Sequence, residues 1–168
     1  MKELDFLKRG ALLAPMAGVT DMPFRLICHE MGCPMATSEM LSAKGYMLAP
    51  KDSRAVRELT AVSSGEEGAV ALQIFGHEPE IMARAAEELT RDGQYAMLDI
   101  NMGCPVPKIV GNGEGSALMK QPELAAQIVR EVAQTSHVPV SVKMRLGFEA
   151  GEETCLKLGP MLEAAGRQ

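Results

Sequence analysis

The chain has 168 residues, enough for one domain with a sizeable core. Hydrophobic content of 46% and charged content of 23% exclude a disordered segment, and 17 basic against 22 acidic residues, net −5, argue against a dominant nucleic-acid surface within this stretch. No apolar run has the form of a signal peptide or the length of a membrane span, and Cys28, Cys33, Cys104 and Cys155 form no Cys-x-x-Cys pair, so reduced thiols, no metal site, no membrane partner and a cytoplasmic location are the simplest expectation.

Residues 1–10 read as a polar lead-in. Ala11 to Ala17 reads as a first core strand, with Pro15 near its end, where a missing ladder donor is tolerated. Thr20 or Asp21 can cap the next helix, which has Pro23 in its first turn, runs through Phe24, Ile27 and Met31, and stops at Gly32. Met35 to Met40 is a short second strand, followed by a helical or irregular stretch to about residue 62. Ala69 to Phe75 is a third strand closed by Gly76, and Glu78 to Arg91 has helical spacing through Ile81, Ala85 and Leu89. Leu98 to Asn101 alternates as a fourth strand, broken at Gly103, with Cys104 held extended by Pro105. A loop with Gly111, Gly113 and Gly115 matches neither a dinucleotide fingerprint nor a P-loop and is expected to be a mobile substrate loop carrying Lys108. Pro122 to Thr135 is a helix, Pro139 to Arg145 a fifth strand, and Glu152 to Ala165 a last helix. This alternation argues a parallel sheet with helices outside it.

Three consecutive strands share an unusual parity. Val70, Leu72 and Ile74 oppose Ala71 and Gln73; Leu98 and Ile100 oppose Asp99 and Asn101; Val140 and Val142 oppose Ser141, Lys143 and Arg145. Buried parallel strands normally read as near-continuous apolar runs. In a closed barrel the polar parity would point inward, so Gln73, Asn101, Lys143 and Cys104 would converge at the carboxyl ends of the strands, where such folds place their ligands. Each residue alone has a plainer reading: a satisfied core amide, a turn former, a strand-end cation that reaches water, and a small buried thiol. Their coincidence at matching strand ends favours a site, and a buried Lys143 would then need an electron-rich ligand or a carboxylate. Cys28, Cys33 and Cys155 read as packing residues, and His29, His77 and His137 take no role.

These motifs resemble the tRNA-dihydrouridine synthases. The segment from Ala14 to Arg25 (Ala-Pro-Met-Ala-Gly-Val-Thr-Asp-Met-Pro-Phe-Arg) resembles that family's opening motif, and Thr37 to Met40 and Leu72 to Gly76 its second and third strands. Asp99-Ile-Asn-Met-Gly-Cys-Pro105, with Lys108, Val110 and Gly115 to Met119, resembles its signature loop, and Val142 to Gly147 its fifth strand. The resemblance implies an α/β fold, a (β/α)8 TIM barrel, of which residues 1–168 hold about the first five β/α units as one partial FMN-binding domain. It implies that Pro15, Met16 and Ala17 line FMN through backbone contacts, that Gln73 bonds the flavin ring, and that Lys143 lies near its pyrimidine edge. It implies that Asn101, Lys108 and Arg145 serve the substrate. Reduced FMN would deliver hydride to C6 of uracil, Cys104 would protonate C5, and NADPH or NADH would reduce the flavin beforehand. The partner implied is tRNA, whose target uridine must leave the stack to enter a barrel.

The family's later barrel strands, its glycine-rich phosphate site and its carboxyl-terminal helical domain do not follow in this sequence, so the chain resembles a truncated product. On its own it is expected to bind FMN weakly, to lack synthase activity, and to expose sheet edges open to self-association. Two other readings remain at this point. One is a different FMN-dependent TIM-barrel oxidoreductase, of the dihydroorotate dehydrogenase kind, which the segment from Asn101 to Lys108 argues against. The other is a non-catalytic remnant or interaction module. A thiol-based redox protein is disfavoured because no second cysteine lies near Cys104.

Overall fold

The structure, a computed structural model, describes residues 10–63 and 68–167, so the lead-in over 1–9 lies outside the described residues. Four strands make one parallel sheet: β1 (Met35–Ser42), β2 (Ala69–Phe75), β3 (Met97–Met102) and β4 (Val140–Met144), side by side in chain order. Helices connect them: α1 (Met22–Glu30) before β1, α2 (Ala43–Leu48) and α3 (Arg54–Thr60) after it, then α4 (Pro79–Thr90), α5 (Pro107–Val110), α6 (Pro122–Thr135) and α7 (Cys155–Gly166). A 3-10 helix spans Gly115–Lys120. This is the α/β architecture expected, consistent with part of a (β/α)8 barrel.

The alternation sorts the two faces of the sheet. Val70, Leu72 and Ile74 of β2 and Leu98, Ile100 and Met102 of β3 pack in one core with Met82, Ala85, Ala86 and Leu89 of α4 and Ile128, Val129 and Val132 of α6. Both helices start on a proline at the first turn, where no intrahelical donor is lost, and carry an acidic residue there (Glu80, Glu123) that complements the helix dipole. The small residues of α4 let it lie close to the sheet, and Gly76 sits so tightly against it that a Cβ there would come within 2.7 Å of the Met82 sulfur. The opposite face holds a smaller apolar cluster of Met35, Ala71 and Met97 below the polar side chains described next.

The strand expected over Ala11–Ala17 is reduced to one parallel bridge at Leu13, on the side of β1 away from β2. Leu13 donates to the Met35 carbonyl and accepts from Thr37, each at 3.0 Å. The next donor in a parallel ladder would come from residue 15, and Pro15 has no N–H. The chain turns instead: the Met16 carbonyl accepts from Val19 and Thr20, and Asp21 rather than Thr20 caps α1 by accepting from the Phe24 N–H at 3.0 Å. β1 and β2 change register between Thr37 and Met40, and there the Ser38 hydroxyl takes the Gln73 N–H at 3.0 Å in place of a backbone carbonyl. Among the described residues β4 is paired only on its β3 side.

Candidate active site

The register sets the site. In β2 and β3, Gln73 stands opposite Asp99; in β3 and β4, Asp99 stands opposite Ser141 and Asn101 opposite Lys143. All project from the face opposite the helices, so polar side chains of three strands meet in a row. Gln73, Asp99 and Asn101 are 1%, 7% and 8% exposed, so their polar atoms must find partners inside the protein.

They find them in one string. Asp99 Oδ1 accepts from the Ser141 hydroxyl at 2.5 Å, and Asp99 Oδ2 accepts from Gln73 Nε2 at 2.6 Å. Gln73 Oε1 accepts from Asn101 Nδ2 at 2.9 Å. Asn101 Oδ1 accepts from the backbone N–H groups of Gly103 at 3.1 Å and Cys104 at 2.9 Å, a side chain bracing its own turn. Burial raises the Asp99 carboxyl above its ordinary range; the Gln73 amide, the Ser141 hydroxyl and the Lys143 charge offset this in part.

Cys104 is held from the other side as well. Its carbonyl accepts from the Ser116 N–H at 3.0 Å, and Gly115, at φ +60°, lies so close that a Cβ would come within 2.7 Å of that carbonyl oxygen. Glu114, Gly115 and Ser116 are buried, and the Glu114 carboxylate lies 3.4 Å from His77 Nδ1. The three-glycine loop expected to be mobile is therefore packed against the turn it follows. Its glycines serve positive φ at Gly113 and Gly115 and close approach at Gly115.

A cleft of about 310 Å³ opens over this string. Pro15, Ala17 and Met40 wall one side, Gln73 and Asn101 form the floor, Gly103, Cys104, Pro105 and Val106 the end, and Lys143 and Arg145 the other side. Of the nine residues singled out from the sequence, the cleft gathers Pro15, Ala17, Gln73, Asn101, Cys104, Lys143 and Arg145. Met16 does not line it: its N–H donates to the Thr20 hydroxyl at 3.1 Å, and its side chain is exposed. Lys108 is exposed on α5, outside the lining. Lys143 is exposed too, rather than buried, because it stands on β4, whose far side is unpaired among the described residues. Asp99 and Ser141 were not among the candidates. Their parity was the available signal, since an acid on the inward face of a central strand must have partners.

The donor set has a definite chemistry. Asn101 Oδ1 is filled by two backbone N–H groups and Gln73 Oε1 is turned to Asn101 Nδ2, so these amides have N–H groups left to donate, and Gln73 Oε1 keeps one lone pair. Asn101 Nδ2 has in addition only a long contact of 3.7 Å to the Met40 sulfur. With Lys143 and Arg145 beside them, and no carboxylate in the lining among the described residues, the cleft suits a flat group rich in carbonyl oxygens and negative charge. That fits an isoalloxazine ring or a uracil. Among the described residues no cluster of His, Cys, Asp and Glu could hold a metal ion, and no helix is long and apolar enough to cross a membrane.

Residues 12–168 match the family described as dihydrouridine synthase (Dus). The chain is 41% identical over 162 residues to a tRNA-dihydrouridine synthase B of Proteus vulgaris, covering 96% of this chain and 49% of that protein. It is 39% identical over 162 residues to that of Vibrio vulnificus and 40% identical over 162 residues to that of Pectobacterium carotovorum, with the same coverage. The chain thus spans about half the length of the curated relatives it matches.

Proposed function

The chain belongs to the dihydrouridine synthase family, and from that premise we propose that its cleft holds the ring of FMN and a flipped uracil beside Cys104, for reduction of the C5–C6 bond of uridines in cytoplasmic tRNA. One observation carries this reading: a thiol on a turn braced by Asn101 ends the same cleft that Gln73, Lys143 and Arg145 furnish with donors. Gln73 and Lys143 hold the flavin ring, with Pro15 and Ala17 against it. The Lys143 ammonium favours the electron-rich, reduced form. FMN, when bound, would supply the hydride for C6 of the uracil, with NADPH or NADH as its reductant.

The chain's own residues do the rest. Asn101 and Arg145 orient the base by donating to its carbonyl oxygens. Cys104 holds the proton that goes to C5, and its position is fixed at the backbone rather than by its own side chain. Protein geometry and electrostatics are what such a site adds to chemistry that belongs to the cofactor. Lys108, exposed on α5, is assigned to tRNA phosphate rather than to the ring.

The test reads thiol protection in the chain itself. Cys104 is alkylated with iodoacetamide with and without FMN, and peptide mass spectrometry follows each thiol. FMN is expected to slow alkylation of Cys104 while Cys28, Cys33 and Cys155 keep their rates. Gln73→Leu and Lys143→Ala should each weaken that protection. Protection of all four thiols alike, or of none at FMN concentrations up to millimolar, would overturn the assignment. Protection by free pyrimidines and not by tRNA would favour an enzyme acting on small substrates.

A further inference from the structure

We infer that Asp99 is a positioning residue: through Gln73 and Asn101 it sets the orientation of the turn that holds Cys104. The inference rests on the reading of Cys104 as the working thiol, and its geometry is independent of any cofactor.

Hydrogen-bond polarity gives the string its direction. A side-chain amide has one accepting and one donating end, and nothing in its shape decides between them. Asp99 Oδ2 decides for Gln73, because a carboxylate oxygen only accepts, so Nε2 faces it at 2.6 Å. Gln73 Oε1 then faces Asn101, so Asn101 must turn Nδ2 toward it at 2.9 Å. That leaves Asn101 Oδ1 for the N–H groups of Gly103 and Cys104. Reversing Gln73 would set oxygen against oxygen at Asp99 and nitrogen against nitrogen at Asn101. Reversing Asn101 as well would point Nδ2 at two backbone donors. The string has one stable direction, held at its head by the carboxyl and at its foot by the two backbone donors. Its direction survives protonation, since a proton on Oδ1 can be donated to the Ser141 hydroxyl while Oδ2 still accepts. Inside the protein each broken link leaves a buried polar atom without a partner, so the string acts as a unit.

The experiment is amide exchange by NMR on the ¹⁵N-labelled chain without flavin, comparing Asp99→Leu, which removes the acceptor, with Asp99→Asn, which keeps one. Asp99→Leu should speed exchange at Gly103 and Cys104 about fivefold or more, the factor one lost hydrogen bond is worth. Asp99→Asn should restore rates to within about twofold of the unsubstituted chain. The Leu98 N–H, bonded to the Pro139 carbonyl at 2.9 Å on the same strand, is the internal reference and should stay unchanged in both. Equal exchange at 103 and 104 in the leucine variant, equal loss in both variants, or loss that extends to Leu98, would each overturn the inference. Should Asp99→Leu not fold, Gln73→Leu breaks the string one link later and is read by the same comparison. A through-hydrogen-bond coupling between the Cys104 nitrogen and the Asn101 side-chain carbonyl carbon, measured in the unsubstituted chain, is the second reading, and its absence would also overturn the inference. Failure of FMN to protect Cys104 would leave these results intact, so the two readings fail separately.

Discussion

Replacing Gly115 by alanine should destabilise the chain far more than the same change two residues earlier. Both glycines have positive φ, +79° at Gly113 and +60° at Gly115, so both substitutions force a side chain into the left-handed region at a cost of about 1–2 kcal/mol. At Gly113 a new Cβ meets nothing within 4 Å. At Gly115 it would stand 2.7 Å from the Cys104 carbonyl oxygen, 2.9 Å from the Ile109 side chain and 3.1 Å from the Cys104 Cβ. Crowding of that kind adds about 1–3 kcal/mol, because the fixed neighbour here is backbone held by the Ser116 N–H. Gly115→Ala should therefore cost about 2–5 kcal/mol and Gly113→Ala about 1–2 kcal/mol in urea unfolding. The contact falls on Cys104, so the alkylation rate of that thiol should change in the first variant and not in the second. Equal unfolding midpoints for the two variants would refute the claim that Gly115 exists for close approach.

Asp99 gives a pH dependence. Its carboxyl is raised by burial, so the folded chain binds its proton more readily than the unfolded chain. Its contribution to stability is therefore greatest below the ordinary aspartate value, about 3.9, and declines as pH rises through the higher folded value. The unsubstituted chain should lose stability relative to Asp99→Asn across that window in urea titrations, and a constant difference would exclude the effect. Ile100, fully buried between sheet and helices, should cost about 2–5 kcal/mol as Ile100→Ala by the same measurement. Lys108→Ala should leave FMN protection of Cys104 unchanged; in filter binding it should weaken tRNA and reduce the salt dependence by about one phosphate contact.

Elements with a clean period were legible in the sequence. β2 and α6 run over the residues that alternation and the helical repeat assigned to them. The first strand was not, because its length depends on which N–H groups the ladder needs, and Pro15 lacks the one that comes next. The convergence of Gln73, Asn101, Lys143 and Cys104 on one cleft followed from parity and strand ends. Met16 stands outside the cleft because its turn already uses its backbone groups, and local hydrogen bonding of that kind leaves no mark on composition. Asp99 was visible as a parity mate of Asn101, but its partners come from β2 and β4, and only three-dimensional register brings those together.

The exposure of Lys143 has a consequence for the strength of the site. A unit charge acting at 4 Å is worth about 1 kcal/mol through bulk water and about 4 kcal/mol at the lower effective dielectric near a protein surface. Lys143 stands on β4, whose far side is unpaired among the described residues, so solvent reaches the ammonium and damps its field over the cleft. Any group that excluded water from that flank would strengthen the charge without touching it. The same lysine, in the same place, is then a dimmer whose setting is decided by its neighbour.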